Sequence, residues 1–152
     1  MKKLVPIVAV CISFLSYGQA PAETVTLASN KLTVPTGCIV ESELKVHCDN
    51  YKVEWLYGDK QKVKGLQDAF LEVGRMLDKF EKKHFDFYLF ETKVKGYKVS
   101  YQIGTGTTFQ LTASGVVNNE PVWVLVSLDK EPITNDDLPQ FVRQIIRFSE
   151  KK

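Results

Sequence analysis

The three cysteines and two histidines are the residues of this chain whose side chains most often carry chemistry, and Cys11 lies in an apolar N-terminal run. Cys38 and Cys48 stand ten positions apart, which suits a structural disulfide better than the Cys-x-x-Cys spacing of a redox-active pair. His47 lies between them, and His84 stands alone. No Gly-x-Ser-x-Gly or His-Glu-x-x-His motif and no zinc-ligand spacing accompanies these residues. The sequence therefore predicts one disulfide, structural histidines, no metal or cofactor, and no catalytic residue.

Two further segments superficially resemble a metal site and a phosphate-binding loop. Asp136 and Asp137 could hold a metal ion or act as an acid–base pair, but adjacent acids before a helix are typical of capping. Residues 104–108, Gly-Thr-Gly-Thr-Thr, lack the lysine and the following helix of a phosphate-binding loop. We therefore expect a helix start at the aspartates and a hairpin turn at the glycines.

Three lysines crowd the start of the longest predicted helix. Lys60, Lys62 and Lys64 oppose the helix dipole there, at a cost of roughly 0.3 kcal/mol or more each. Lys52, on the preceding predicted strand, could extend them into one basic patch. This placement predicts a binding site for an anion or an acidic partner, since helix N-termini also present free amide donors. An ordinary solvated face is the alternative interpretation.

Aromatic residues are more numerous than one helix stripe can bury. The set comprises Tyr51, Trp55, Tyr57, Tyr88, Phe90, Tyr97, Tyr101 and Trp123. If Phe87 and Leu89 pack against the helix, Tyr88 and Phe90 point to the opposite face of their strand. They are then either covered by the C-terminal helix or exposed as anchors for a partner protein, and we include both in the predicted partner-binding set.

The elements that position these residues follow from the apolar periodicity. Alternation over residues 51–57 predicts a half-buried strand, and Asp59 is placed to cap the following helix. Apolar residues then recur every three or four positions, which predicts a helix over about 60–83: Val63, Leu66, Phe70, Val73, Leu77 and Phe80. Gly74, beside this stripe, marks either the close approach of a bulky strand residue or a tolerated defect in the helix.

From residue 85 onward the apolar period changes to two. Strands are expected at 85–89, 97–103, about 109–117 and 122–128, joined by short turns into an antiparallel meander. The last strand is apolar on both faces, as expected of a central strand.

The chain then predicts a C-terminal helix whose start has two alternatives. Thr134 and Asp137 could form a capping box, or Asp137 could cap a helix whose first residue is Leu138. The predicted fold class is α+β: an antiparallel four-stranded meander packed on a long amphipathic helix, with an N-terminal disulfide hairpin and a C-terminal helix.

The N-terminus has the pattern of an export signal. Lys2 and Lys3 precede an apolar run, and Ala20-Pro21-Ala22 forms a cleavage motif, so residues 1–22 are predicted to be a cleaved signal peptide. Residues 23–152 are predicted to form a single domain. Cleavage removes two of the 20 basic residues and none of the 18 acidic ones, which leaves 18 of each. This balance argues against nucleic-acid binding, and no later segment predicts stable membrane insertion.

These patterns together predict an exported, non-enzymatic protein-binding module of the bacterial envelope, periplasmic or secreted. Its partner would be another protein, and its role that of an immunity-type inhibitor or an accessory factor of an envelope or secretion assembly. The alternative is a periplasmic carrier of a small apolar ligand, with a cavity lined by Phe70, Leu77, Tyr101 and Phe109. A small hydrolase using His47 or His84 is the least favoured alternative.

Overall fold

The structure is a computed structural model that describes residues 23–149. Of these residues, 56% are in strands and 19% are helical. The strands are β1 (Thr24–Leu27), β2 (Asn30–Thr33), β3 (Ile39–Ser42), β4 (Lys45–Cys48), β5 (Tyr51–Tyr57), β6 (Asp78–Leu89), β7 (Thr92–Ile103), β8 (Gly106–Val117), β9 (Glu120–Leu128) and β10 (Ile146–Phe148). The helices are α1 (Lys60–Gly74) and α2 (Gln140–Ile145), and a 3-10 turn spans Asn135–Asp137. The predicted signal peptide, residues 1–22, lies outside the described residues.

Eight of these strands form one curled antiparallel sheet in the order β10-β6-β7-β8-β9-β5-β4-β3. The remaining two, β1 and β2, form a separate hairpin. The predicted fold class, α+β with a four-stranded meander packed on a long helix, is therefore wrong. The meander exists as β6 to β9, but it continues through β5, β4 and β3 on one side and β10 on the other. The sheet, and not the helix, is the centre of the molecule.

Helix α1 begins where the sequence predicts and ends nine residues earlier than 83, at Gly74. Asp59 caps it, because its carboxylate accepts a hydrogen bond of 2.8 Å from the backbone N–H of Lys62. The buried residues of α1 are Val63, Gln67, Leu71 and Gly74, whereas Val73 of the predicted stripe is 63% exposed. The predicted apolar stripe is therefore too long, and the face of α1 that is buried is rotated relative to it.

Phe80 explains why the periodicity continued past the end of the helix. After Gly74 the chain turns, and Phe80, now in β6, folds back so that its ring lies against the site where Gly74 has no Cβ. The predicted close approach of a bulky strand residue at Gly74 is confirmed. The apolar spacing therefore reflects a contact between two elements and does not indicate a continuous helix.

Residues 78–84 are in a strand because they pair with β7, and not because of their own pattern. Most of them are exposed, and a bulge lies between Asp78 and Glu81, with Lys79 at a φ of 52°. Strand β10 pairs only with Phe87, Tyr88 and Leu89. Charged side chains and a bulge protect the rest of this outer strand against unwanted pairing.

The two faces of the sheet have different covers. We call the face that carries Val122, Val124 and Val126 the core face, because these side chains join the buried cluster with the β1–β2 hairpin and α2. The opposite, helix face carries Trp123 and Leu125, and α1 lies on it with the Phe70 ring centroid 5.8 Å from that of Trp123. The prediction that β9 is a central strand covered on both faces is confirmed.

The disulfide hairpin is confirmed. Cys38 and Cys48 are joined by a disulfide next to the Ile39–His47 pair of β3 and β4, so the bond closes the open end of this hairpin. The Tyr51 hydroxyl lies 3.6 Å from the Cys38 sulfur. In the described part of the chain, no helix is long and apolar enough to cross a bilayer.

The predicted capping box of Thr134 and Asp137 is present, but it caps a 3-10 turn, and both predicted starts of the C-terminal helix are wrong. The Asp137 carboxylate accepts the backbone N–H of Thr134 at 2.7 Å, as in the first alternative. Leu138 is extended, with φ −80° and ψ 135°, because the residue before a proline is disfavoured in the helical region. Helix α2 therefore begins only after Pro139, spans six residues, and gives way to β10.

Removal of the disulfide should lower the free energy of unfolding. The double variant Cys38→Ala/Cys48→Ala releases a loop of ten residues, for which chain-entropy arguments give about 2 to 3 kcal/mol. Urea unfolding followed by tryptophan fluorescence measures this change. Reduction of the unmodified protein with dithiothreitol should produce the same shift, and a reductant-insensitive midpoint would contradict the stabilising role.

Gly96 should tolerate no side chain. A Cβ at this position would meet the Thr112 carbonyl oxygen and lie 2.9 Å from both Ala113 Cβ and Phe87 Cδ2. Gly96→Ala should therefore lower the free energy of unfolding by about 1 to 3 kcal/mol. The control Gly65→Ala lies in α1 with nothing within 4 Å and should raise it by about 0.5 to 1 kcal/mol. Chemical denaturation that gave both variants the same sign would refute this account of the packing.

Candidate functional site

A groove opens at the edge of the sheet, where the two covers of the core face meet. We call it the basic groove. It encloses about 820 Å³, is open to solvent, and is lined by residues 29–32 of the β1–β2 hairpin, by Phe90 and Glu91 of the β6–β7 turn, and by Gln140, Arg143, Gln144 and Arg147. Its walls therefore come from three segments that are far apart in the sequence.

The hairpin wall is anchored at its tip. Ala28 and Ser29 adopt φ values of 46° and 63°, which turn β1 into β2. The N–H of Ala28 donates to the Tyr57 hydroxyl at 2.8 Å, and its carbonyl accepts from the Asn118 amide at 2.8 Å. Ser29 also contacts the Glu120 carboxylate. The hairpin is thus held at its tip by the ends of β5 and the β8–β9 turn.

The C-terminal wall is held by Asn135. Its side-chain amide donates to the Phe148 carbonyl at 3.0 Å, and its side-chain oxygen accepts the Phe148 N–H at 2.7 Å. This reciprocal pair ties the 3-10 turn to β10 on either side of α2. Phe141 and Ile145 are buried in the core, so α2 presents its other side to the groove.

Phe90 lines the groove and has an unusual backbone conformation. It occupies the two-residue turn between Leu89 and Thr92 with a φ of 51°, a region that bulky side chains rarely adopt. Its N–H donates to the Ile145 carbonyl at 2.8 Å, and its carbonyl accepts from Arg147 Nη2 at 3.0 Å. Contacts to the C-terminal wall on both sides of its Cα therefore hold this strained residue in place.

The groove lining is cationic. Lys31, Arg143 and Arg147 face one lining carboxylate, Glu91, which leaves a net charge of +2. Arg147 Nη2 lies 3.2 Å from a Glu91 carboxylate oxygen, and Arg143 Nη1 lies 3.3 Å from one of Asp136. The mature chain as predicted carries equal numbers of acidic and basic residues, so this local excess is a property of the fold.

The structure brings two of the predicted partner-binding residues, Tyr88 and Phe90, to this groove. Phe90 lines it, and the Arg147 guanidinium carbon lies 5.9 Å from the Tyr88 ring centroid, within the range of a cation–π contact. Both aromatic residues are half-buried. Which of the two alternatives holds for these side chains therefore stays a prediction.

The four lysines of the predicted patch lie on two elements. Lys60, Lys62 and Lys64 are exposed at the start of α1, whereas Lys52 is half-buried on β5, paired with His47 and Ser127. Five strand residues, or roughly 16 Å, separate Lys52 from the end of β5, where the connection to α1 begins. None of the four lines the basic groove, and their role as a partner-binding set stays a prediction.

The two histidines lie on different strands and in different surroundings. His47 Nδ1 lies 3.0 Å from Glu41, whose other carboxylate oxygen contacts Lys45 Nζ at 2.6 Å. The hydrogen bond from Lys45 lowers the pKa of the Glu41 carboxyl. His84 lies in β6 and not at a helix end as predicted, and its ring packs edge-on to Tyr97 at 5.4 Å. Within residues 23–149, no three His, Cys, Asp or Glu residues are grouped so as to hold a metal ion.

The cavity required by the ligand-carrier alternative is not formed by the residues predicted to line it. Tyr101 pairs with Thr108 and faces the helix side of the sheet, whereas Phe109 faces the core side. Leu77 is 38% exposed beyond the end of α1. A different apolar groove of about 330 Å³ exists beside α1, lined by Leu44, Trp55, Leu56, Trp123 and Leu125 with Ser42, Lys45 and Glu54.

Sequence reasoning missed the cationic residues of the basic groove. The apolar periodicity of residues 138–148 only places Arg143 and Arg147 on the outward side of the predicted C-terminal helix, and no pattern in the sequence singles out Lys31. Two arginines four positions apart beside an apolar stripe were the available signal. That signal could not show that residues 29–32 would form the facing wall, because this contact spans more than one hundred positions of the sequence.

Two comparisons with known proteins find no relative. A scan against models of known protein families finds no match, and a search of curated proteins finds no similar sequence.

Asp137 should stabilise the C-terminal wall in a pH-dependent way. Backbone hydrogen bonds from Thr134 and Ile133 lower the pKa of its carboxyl below the ordinary value of 3.8. A carboxyl whose pKa is lowered by folding stabilises the folded state above its unfolded value, and this contribution is lost as the pH falls through the lowered value. Asp137→Asn should therefore reduce the Tm at pH 7, and its deficit should shrink below pH 3.8.

Thermal melts by circular dichroism between pH 2 and pH 7 measure this difference. The matched control is Asp136→Asn, which leaves the bonds from Thr134 and Ile133 intact and should cost less at pH 7. A constant deficit for Asp137→Asn across the pH range would contradict the assigned role of its charge.

Proposed function

We propose that this protein is an exported, non-enzymatic protein-binding module of the bacterial envelope and that the basic groove is its binding surface. The single observation that carries the proposal is Phe90. A bulky aromatic residue with positive φ costs free energy, and such strain persists where the surrounding structure holds it, commonly at functional sites. Here the residue lines an open groove together with Arg143 and Arg147 and packs against the buried cluster.

The composition of the groove supports recognition of a protein. Arginine and aromatic residues are the side chains most enriched among those that dominate protein interfaces. The groove combines Arg143, Arg147 and Phe90 with the amide side chains of Asn30 and Gln144. Its walls are anchored by hydrogen bonds, so little ordering would be needed on binding, and a rigid surface loses less free energy when it binds.

The proposed compartment is the periplasm, or the outside of the cell. The export pattern of residues 1–22 motivates it, and the disulfide is in keeping with it, because such bonds persist in oxidising compartments. Within that compartment the proposed roles are an immunity-type inhibitor of a toxin or an accessory factor of an envelope or secretion assembly. Both roles need a small rigid domain that binds another protein.

The carrier alternative has one favourable observation, the apolar groove beside Trp123. The indole N–H of Trp123 is bonded to the Thr112 hydroxyl at 2.7 Å, so this side chain is fixed in position. The groove is open at the surface, however, and a carrier usually encloses most of its ligand. We therefore place the carrier second to the protein-binding module.

Photo-crosslinking in cells that produce the protein tests the proposal. p-Benzoylphenylalanine replaces Gln144, an exposed residue that lines the basic groove. The matched control replaces Asp68, which is exposed on α1. We expect one dominant protein adduct from position 144 and none of the same mass from position 68.

A second variant makes the crosslinking specific to the groove chemistry. Adding Arg143→Gln and Arg147→Gln should reduce the adduct from position 144 at least about tenfold, as expected when charge-assisted hydrogen bonds are removed. Equal adducts from positions 144 and 68, or no adduct from 144 under any growth condition, would refute the proposed binding surface. Circular dichroism checks that the variants are folded.

A further inference from the structure

Two carboxylates of this chain form weak ion pairs with the arginines of the basic groove. Glu91 contacts Arg147 at 3.2 Å and Asp136 contacts Arg143 at 3.3 Å, each through one pair of atoms. Strong ionic hydrogen bonds are about 2.7 to 2.9 Å long and are often bidentate. The side chains of Glu91 and Asp136 are 93% and 95% exposed, so water competes for both contacts. Such surface ion pairs are weak and exchange readily.

The guanidinium of Arg147 has other contacts that keep it in position. Its Nη2 donates to the Phe90 carbonyl at 3.0 Å, and it lies over the Tyr88 ring. A guanidinium carries five N–H donors in a planar fork that matches a carboxylate. In the described residues, the side-chain hydrogen bonds of Arg147 use only Nη2. The remaining N–H groups of Arg147 can therefore donate to an incoming carboxylate while the side chain keeps its contacts with Phe90 and Tyr88.

We infer that the basic groove recognises an extended acidic segment of the partner protein and that Glu91 is an internal competitor for Arg147. This inference rests on the proposed function. Arg147 and Arg143 bind two carboxylates of the segment, and those of Glu91 and Asp136 move into solvent in exchange. The exchange conserves the number of ion pairs, so the groove is never left with two unpaired cations in the absence of the partner.

The shape and polarity of the groove favour a peptide over a small anion. Gln140 and Gln144 place side-chain amides along it, which can donate to and accept from the main chain of an extended segment. The Asn30 amide already donates to the carbonyls of Leu27 and Ala28. Phe90, which is half-buried, adds apolar surface to this lining. The volume of about 820 Å³ exceeds what one carboxylate or phosphate fills.

A binding assay with a defined acidic peptide tests the inference. The probe is fluorescein-labelled hexaglutamate, the readout is fluorescence anisotropy with the full-length protein, and hexaglutamine is the uncharged control peptide. Glu91→Gln removes the internal competitor and should tighten binding about two- to fivefold, the range that an exposed ion pair supplies. Arg147→Gln should weaken binding at least about tenfold.

The chain offers a matched pair of control variants. Arg75 Nη1 lies 3.2 Å from a Glu72 carboxylate oxygen in an ion pair that is also exposed, at the end of α1. Glu72→Gln and Arg75→Gln change the charge of the protein just as the groove variants do. Their affinity for hexaglutamate should stay within about twofold of that of the parent protein. If total charge alone mattered, the control variants and the groove variants would change the affinity equally.

Two outcomes overturn the inference. One is a Glu91→Gln variant that binds hexaglutamate no more tightly than the parent, because an internal competitor must raise affinity when it is removed. The other is competition by free glutamate or inorganic phosphate at the same concentration as hexaglutamate, which would define a simple anion site. Arg147→Lys, which keeps the charge but loses the fork, should bind more weakly than the parent and keeps the test valid if Arg147→Gln is unstable.

The results separate this inference from the proposed function. A cellular adduct at position 144 without hexaglutamate binding would support the protein-binding surface and refute the inference that the partner segment is acidic. If Glu91→Gln binds hexaglutamate more tightly but no cellular adduct forms, the carboxylate exchange is supported and the proposed protein-binding function is refuted.

Discussion

Burial of the core face under two separate covers is the constraint on which the rest of the structure depends. The hairpin β1–β2 and the segment around α2 come from opposite ends of the described chain, yet their apolar side chains belong to the same buried cluster. Two covers that meet over one sheet leave a seam between them. Apart from Leu32 and Phe90, the side chains along that seam are polar or charged, as expected of side chains that do not turn into the core. The basic groove is this seam.

The hydrogen bonds that fasten the covers also shape the groove. Tyr57 and Asn118 hold Ala28 of the hairpin, and Asn135 holds Phe148 of β10. The N–H of Phe90 joins the β6–β7 turn to Ile145 at the end of α2. Stability and binding therefore draw on the same contacts: the polar groups that satisfy the backbone at the edges of the sheet also fix the positions of the arginines. A surface organised in this way loses little conformational freedom on binding.

Several elements were predictable because their signals are local. Alternation identified β5 and the two-sided burial of β9, the cysteine spacing identified the disulfide hairpin, and Asp59 identified the start of α1. The errors arose where two elements meet. Phe80 continued a helical spacing although it packs on Gly74 from a neighbouring strand. Residues 78–84 are mostly exposed in the folded protein, so no pattern of burial in the sequence could mark them as strand.

The amino-acid sequence by itself determined that β5 and β9 are extended, where the hairpin is crosslinked, and that Asp59 caps α1, because these depend on the stereochemistry of near neighbours. Only the tertiary structure decided that eight strands share one sheet and that residues 29–32, Phe90 and Arg147 line one groove. The physical reason is that strand order and register arise from hydrogen bonds and apolar burial between distant segments. The same alternating pattern is compatible with many pairings, and only the burial of the whole core face selects one of them.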